Sequence, residues 1–129
     1  MNAITPMCGV TTSEPATVVI EVARVDLAQV RLEVASADGT ALSALTVGET
    51  FVVNVYVEDL RDQPEGVFAS YVDLLYDSSL VAVNGEIDFG SDFPNGHRAD
   101  TATAGTVVDA GAFAGFTELG AGEFRLVSV

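Results

Sequence analysis

The chain has 129 residues, 49% of them apolar, which suffices for one domain with its own core and is too few for two. Nineteen acidic residues against five arginines and no lysine give a formal net charge of −14. Arg24, Arg31, Arg61, Arg98 and Arg125 stand apart along the chain, so no basic patch can grip a phosphate backbone and nucleic acid is not expected as a partner.

No apolar run approaches the ~20 residues of a bilayer-crossing helix. Frequent Val, Phe and Gly with no Trp favour strands and tight turns. Residues 1–16 combine Pro6, Gly9 and Pro15 with no apolar period, which reads as a flexible leader. Its opening lacks the basic start and continuous apolar stretch of a secretion signal. Cys8, the single cysteine, cannot close an internal disulfide, and nothing basic stands beside it to activate its thiol.

Residues 17–129 read as one β-sandwich domain. Val18, Ile20 and Val22 alternate with Val19, Glu21 and Ala23, and Val30, Leu32 and Val34 alternate with Arg31 and Glu33; both stretches predict strands. Asp38-Gly39 and Val47-Gly48-Glu49 are turn signals. The second leads into the most regular strand, Phe51 to Glu58, whose Phe51, Val53, Val55 and Val57 share one face while Asn54, Tyr56 and Glu58 share the other.

A polar loop over residues 59–66 precedes a strand from Val67 to Tyr76. That strand is expected to turn Phe68, Ser70, Val72, Leu74 and Tyr76 inward, and Ala69, Tyr71, Asp73 and Leu75 outward. Asp77-Ser78-Ser79 supplies a turn, and Leu80 to Val83 with Ile87 and Phe89 predicts a further strand. Gly90 to Gly105 reads as a long surface loop, and Val107 to Phe116 and Glu123 to Val129 as closing strands. No segment has a helical period, so the fold class is all-β.

Thr46-Val47-Gly48-Glu49-Thr50-Phe51-Val52-Val53-Asn54-Val55, followed by Gly66-Val67-Phe68-Ala69-Ser70-Tyr71-Val72-Asp73-Leu74-Leu75-Tyr76-Asp77-Ser78-Ser79-Leu80-Val81, resembles the cohesin domain and related carbohydrate-binding modules. The resemblance implies a jelly-roll β-sandwich, an extracellular or cell-surface location, no catalysis, and protein binding through an exposed sheet face. Partners of that kind are a dockerin-like module or another copy of the chain itself. Cohesin-like domains continue for further strands past the point matched by Leu126-Val127-Ser128-Val129, so the resemblance also implies a sheet edge open to strand addition, whether by residues Val18 to Val25 or by a neighbour in a filament or layer.

On this reading Ala69, Tyr71, Asp73 and Leu75 form the partner surface. Tyr56 and Tyr71 could instead stack on a sugar ring or pack side by side across strands. Glu58, Asp59, Asp62 and Glu65 gather in one loop and could hold a structural calcium ion, the alternative being a solvated acidic turn. His97 is the single imidazole. With no nucleophile motif or embedded carboxylate pair beside it, it reads as a surface-loop residue, and no catalytic residue is expected.

Overall fold

β-Branched and aromatic residues alternating with polar ones leave the backbone no good option but paired strands, each burying one side. The structure, a computed structural model, describes residues 26–129 together with two short strands, β1 (Ala3–Ile4) and β2 (Ala16–Thr17), which pair antiparallel. The strand expected at Val18 to Val25, and Cys8, lie outside the described residues.

The remaining strands are β3 (Ala28–Ser36), β4 (Phe51–Asp59), β5 (Ala69–Leu75), β6 (Asp88–Phe89), β7 (Asn95–Asp100), β8 (Thr106–Phe113) and β9 (Glu123–Ser128). They form a four-stranded sheet in the order β3-β4-β9-β6 and a three-stranded sheet in the order β5-β8-β7, all antiparallel. The described residues are therefore an all-β sandwich without helix.

The two layers are offset. The Phe89 ring on β6 lies flat against His97 on β7, with centroids 4.2 Å apart, and β8 packs on β9. These contacts set β6 over β7 and β9 over β8, which by strand order sets β4 over β5. The wider sheet then has one strand left over, and β3 projects past the opposing layer.

Between the layers lie Val55, Val57, Val107, Ala110, Ala112, Leu126 and Val127, all buried. A bulge in β9 opposite Val55 and Tyr56 admits one extra residue, so adjacent Leu126 and Val127 both reach the core. Small residues on β8 allow close approach to β5: a Cβ on Gly111 would stand 2.0 Å from the Ser70 carbonyl oxygen.

The alternation read for Phe51 to Glu58 is present, with Val55 and Val57 inward at 0% and 2% exposure. Three expectations need correction. Gly90 to Gly105 is not one long loop, because Asn95–Asp100 forms β7 and Phe93 is wholly buried, its N–H donating to the Gly90 carbonyl.

Leu80 to Val83 forms no strand either, and Leu80 does not return to the core but stands 79% exposed. The Asp77 carboxylate accepts from the Ser79 N–H and hydroxyl, while its carbonyl accepts from the Leu80 and Val81 N–H groups. The chain therefore curls as a turn instead of extending. Val83 and Ile87 still pack on the core from irregular backbone, and pairing resumes at Asp88 and Phe89. Phe116, read as part of a strand, lies beyond the end of β8 and is fully exposed.

Candidate functional site

The outer face of the three-stranded sheet is built from residues that the pleat turns away from the core. On β5, Ser70, Val72 and Leu74 point inward, so Ala69, Tyr71, Asp73 and Leu75 point outward and are exposed, Leu75 at 82%. Phe68, expected inward, is exposed and stacks on Phe113 of β8 with ring centroids 5.8 Å apart. It precedes Ala69, where strand pairing begins, so the alternation does not govern it.

The Tyr71 hydroxyl reaches across β8 and donates to the Gly96 carbonyl on β7 at 2.7 Å. That crossing needs a bare position at Gly96, where a Cβ would meet the Phe113 ring at 2.2 Å and the tyrosine hydroxyl at 2.7 Å. Tyr71 thus ties the three strands together while staying 39% exposed.

Beside it, a bulge in β8 holds Asp109 at φ 54°, where its N–H donates to the Asp73 carboxylate at 2.9 Å. Arg98 of β7 lies 3.4 Å from the Asp109 carboxylate. The result is an apolar strip of Phe68, Tyr71, Phe113, Val108 and Leu75 interrupted by one paired charge cluster. Phe113 and Val108 were missed from sequence because the bulge shifts the register of β8 and no residue type announces that shift, and Arg98 because the stretch from Gly90 to Gly105 reads as a loop and not as a strand.

The acidic loop between β4 and β5 is a different object from the calcium site expected there. Asp59 is buried, and its carboxylate accepts from the Arg61 guanidinium at 2.6 Å and from the backbone N–H groups of Glu65 and Gly66 at 3.0 Å each. These donors hold its carboxyl well below the usual carboxylate range, the Arg61 bonds contributing most.

Glu65 lies 3.6 Å from the same guanidinium. Among the described residues no cluster of three or more His, Cys, Asp or Glu is positioned to hold a metal ion, so Glu58, Asp59, Asp62 and Glu65 are not brought together as ligands. Asp59 folds the loop around an arginine instead.

Tyr56 and Tyr71 are not neighbours. Tyr56 lies on the outer face of the four-stranded sheet with the Arg31 guanidinium 4.4 Å above its ring, while Tyr71 belongs to the other layer. Arg31 also donates to both Glu123 oxygens, at 2.8 and 2.7 Å, and to Glu33 at 3.2 Å. These bonds lower the Glu123 pKa and raise that of Arg31. With Arg125 on Asp88 at 2.6 Å, this face is a ladder of paired charges.

His97 is exposed, as expected, but it sits on β7 instead of a loop, flat on Phe89, with Nε2 2.7 Å from the Phe93 carbonyl oxygen. It closes that flank of the sandwich. One shallow, open cleft lies beside Phe68 and Phe116 and another beside Phe89 and His97. No family model, curated protein or solved structure matches the chain.

Proposed function

We propose that this chain is a non-catalytic, cohesin-like module of the cell surface or extracellular space that joins proteins, binding its partner through the outer face of the three-stranded sheet. The observation that carries this reading is the apolar strip of Phe68, Tyr71, Val108 and Leu75, exposed in an otherwise acidic molecule of net charge −14. An apolar strip bordered by charge suits a protein partner, which supplies both contact area and complementary polar groups.

The Asp73–Asp109–Arg98 cluster lies where such a partner would find a fixed charge to set its orientation. A sugar-binding platform draws less support, because Tyr56 and Tyr71 occupy opposite outer faces and Tyr56 is covered by Arg31.

Calorimetric titration against a panel of dockerin modules tests the reading. The expected result is saturable binding to at least one of them, weakened about tenfold or more by Leu75→Asp and by Tyr71→Ala. Silence across the panel, or binding indifferent to both substitutions, would reject this face as the contact.

A further inference from the structure

The inward side of β3 carries a row that should be core. Val30 lies beside Val57, and Leu32 beside Val55, in the antiparallel register. Opposite residues point to the same side of a sheet. Yet Val30 and Leu32 are 50% and 56% exposed, against 2% and 0% for their neighbours. The offset of the layers is the cause, since β3 extends past β5 and nothing among the described residues covers it.

Among the described residues, nothing pairs with the backbone of β3 along part of its outer edge. Leu27 offers its carbonyl to Leu60, on the β4 side, whereas Val34 offers its carbonyl to Leu42 and the Ser36 N–H donates to Thr40, both on the opposite side. Strand alternation then directs the N–H and C=O groups of Ala28, Val30 and Leu32 outward. The returning segment Thr40–Leu42 covers the edge only from Val34 onward. A short stretch of open backbone and a half-exposed apolar row therefore coincide.

We infer that this edge pairs with the same edge of a second copy, antiparallel about a two-fold axis at Val30, joining two four-stranded sheets into one. The axis at Val30 engages all three open residues on both strands, pairing Ala28 with Leu32 and Val30 with its own copy, and it sets Gln29 beside Arg31 of the second copy, so that no like charges meet. An axis at Gln29 engages only Ala28 and Val30 among them, an axis at Arg31 sets Ala28 against Val34, whose carbonyl Leu42 already occupies, and an axis at Leu32 would drive the second copy into the Thr40–Leu42 segment.

Charge favours the same place. A molecule of net charge −14 repels its copies, but from Leu27 to Leu32 the single charged residue is Arg31, already neutralised by Glu33 and Glu123. So short a contact gives a transient dimer. Because the molecules repel at long range, salt strengthens it by screening. This inference is independent of the partner face on the other sheet.

Sedimentation equilibrium on the full chain should show a monomer–dimer equilibrium that shifts toward dimer as salt rises. Leu32→Lys should weaken it about tenfold or more, an inward-pointing charge on an edge strand being a barrier to pairing. A Val30→Cys variant carrying Cys8→Ser should oxidise to a disulfide-linked dimer, since the two-fold axis places the new thiols opposite each other. Monomer at every concentration would overturn the inference, as would a dimer insensitive to Leu32→Lys. Hydrogen exchange that finds the Val30 and Leu32 amides protected in the dilute monomer would also reject it, by showing the edge to be covered within one chain.

Discussion

The two flanks of the sandwich are closed by different means. On the β6–β7 side, Phe89 stacks on His97, and the His97 ring nitrogen meets the carbonyl of fully buried Phe93, so aromatic side chains bridge the layers. On the β3–β5 side no such bridge exists among the described residues, and β3 stands clear of the opposing layer with its apolar row half in solvent. Residues of the same type therefore contribute unequally. What decides a valine or leucine's contribution is the presence of a second layer above it, not its place in an alternating pattern.

The comparison is broken most directly on the closed side. Phe93→Ala removes a ring with no exposed surface and is expected to cost about 3–5 kcal/mol. Urea unfolding followed by circular dichroism would measure it. A loss below about 1 kcal/mol would show the flank to be loosely packed and the contrast to be false.

The next effect concerns the loop that carries the chain from β4 to β5, the two strands facing each other nearest the open flank. There the fold depends on the Asp59 carboxylate and its bonds from Arg61, Glu65 and Gly66 in place of apolar packing. Since the folded state lowers the Asp59 pKa, its stabilisation is fully present above the unfolded value near ~3.9 and fades as pH falls through the folded one. Asp59→Asn should lower the unfolding midpoint at pH 7 and, compared with the parent chain, lose less stability between about pH 4 and pH 2. Parallel pH curves for the two proteins would refute the assignment.

Much of this architecture was readable beforehand, for a reason visible in particular residues. Val55 and Val57 alternate cleanly with Asn54, Tyr56 and Glu58, and period two is the direct consequence of the pleat, so β4 and the outward set Ala69, Tyr71, Asp73 and Leu75 were legible. Phe93 was not, because its neighbours Pro94, Asn95 and Gly96 carry turn chemistry and burial there comes from joining a core cluster built by residues far along the chain. The acidic loop misled in the opposite sense. Four carboxylates in eight positions suggest a cation site, and only the fold reveals that Arg61 already supplies the cation. The overhang of β3 was equally hidden, since alternation specifies which face a strand buries but not whether anything lies opposite.

That hidden property gives the smallest effect and the sharpest test. Leu126 and Leu32 are the same residue in the same sheet, at 0% and 56% exposure. Truncating each to alanine removes identical atoms, so any difference reports only what surrounds them. Leu126→Ala opens a cavity between two layers and should cost about 2–5 kcal/mol. Leu32→Ala removes a side chain that has kept much of its contact with water, and full burial of a leucine is worth about 1.5–3 kcal/mol, so about 1 kcal/mol or less is expected. Both measurements belong at low salt and low protein concentration, where pairing of β3 edges is weakest. If Leu32→Ala then cost as much as Leu126→Ala, something would already lie over β3 within the single chain, and neither the open flank nor the dimer built on it would survive.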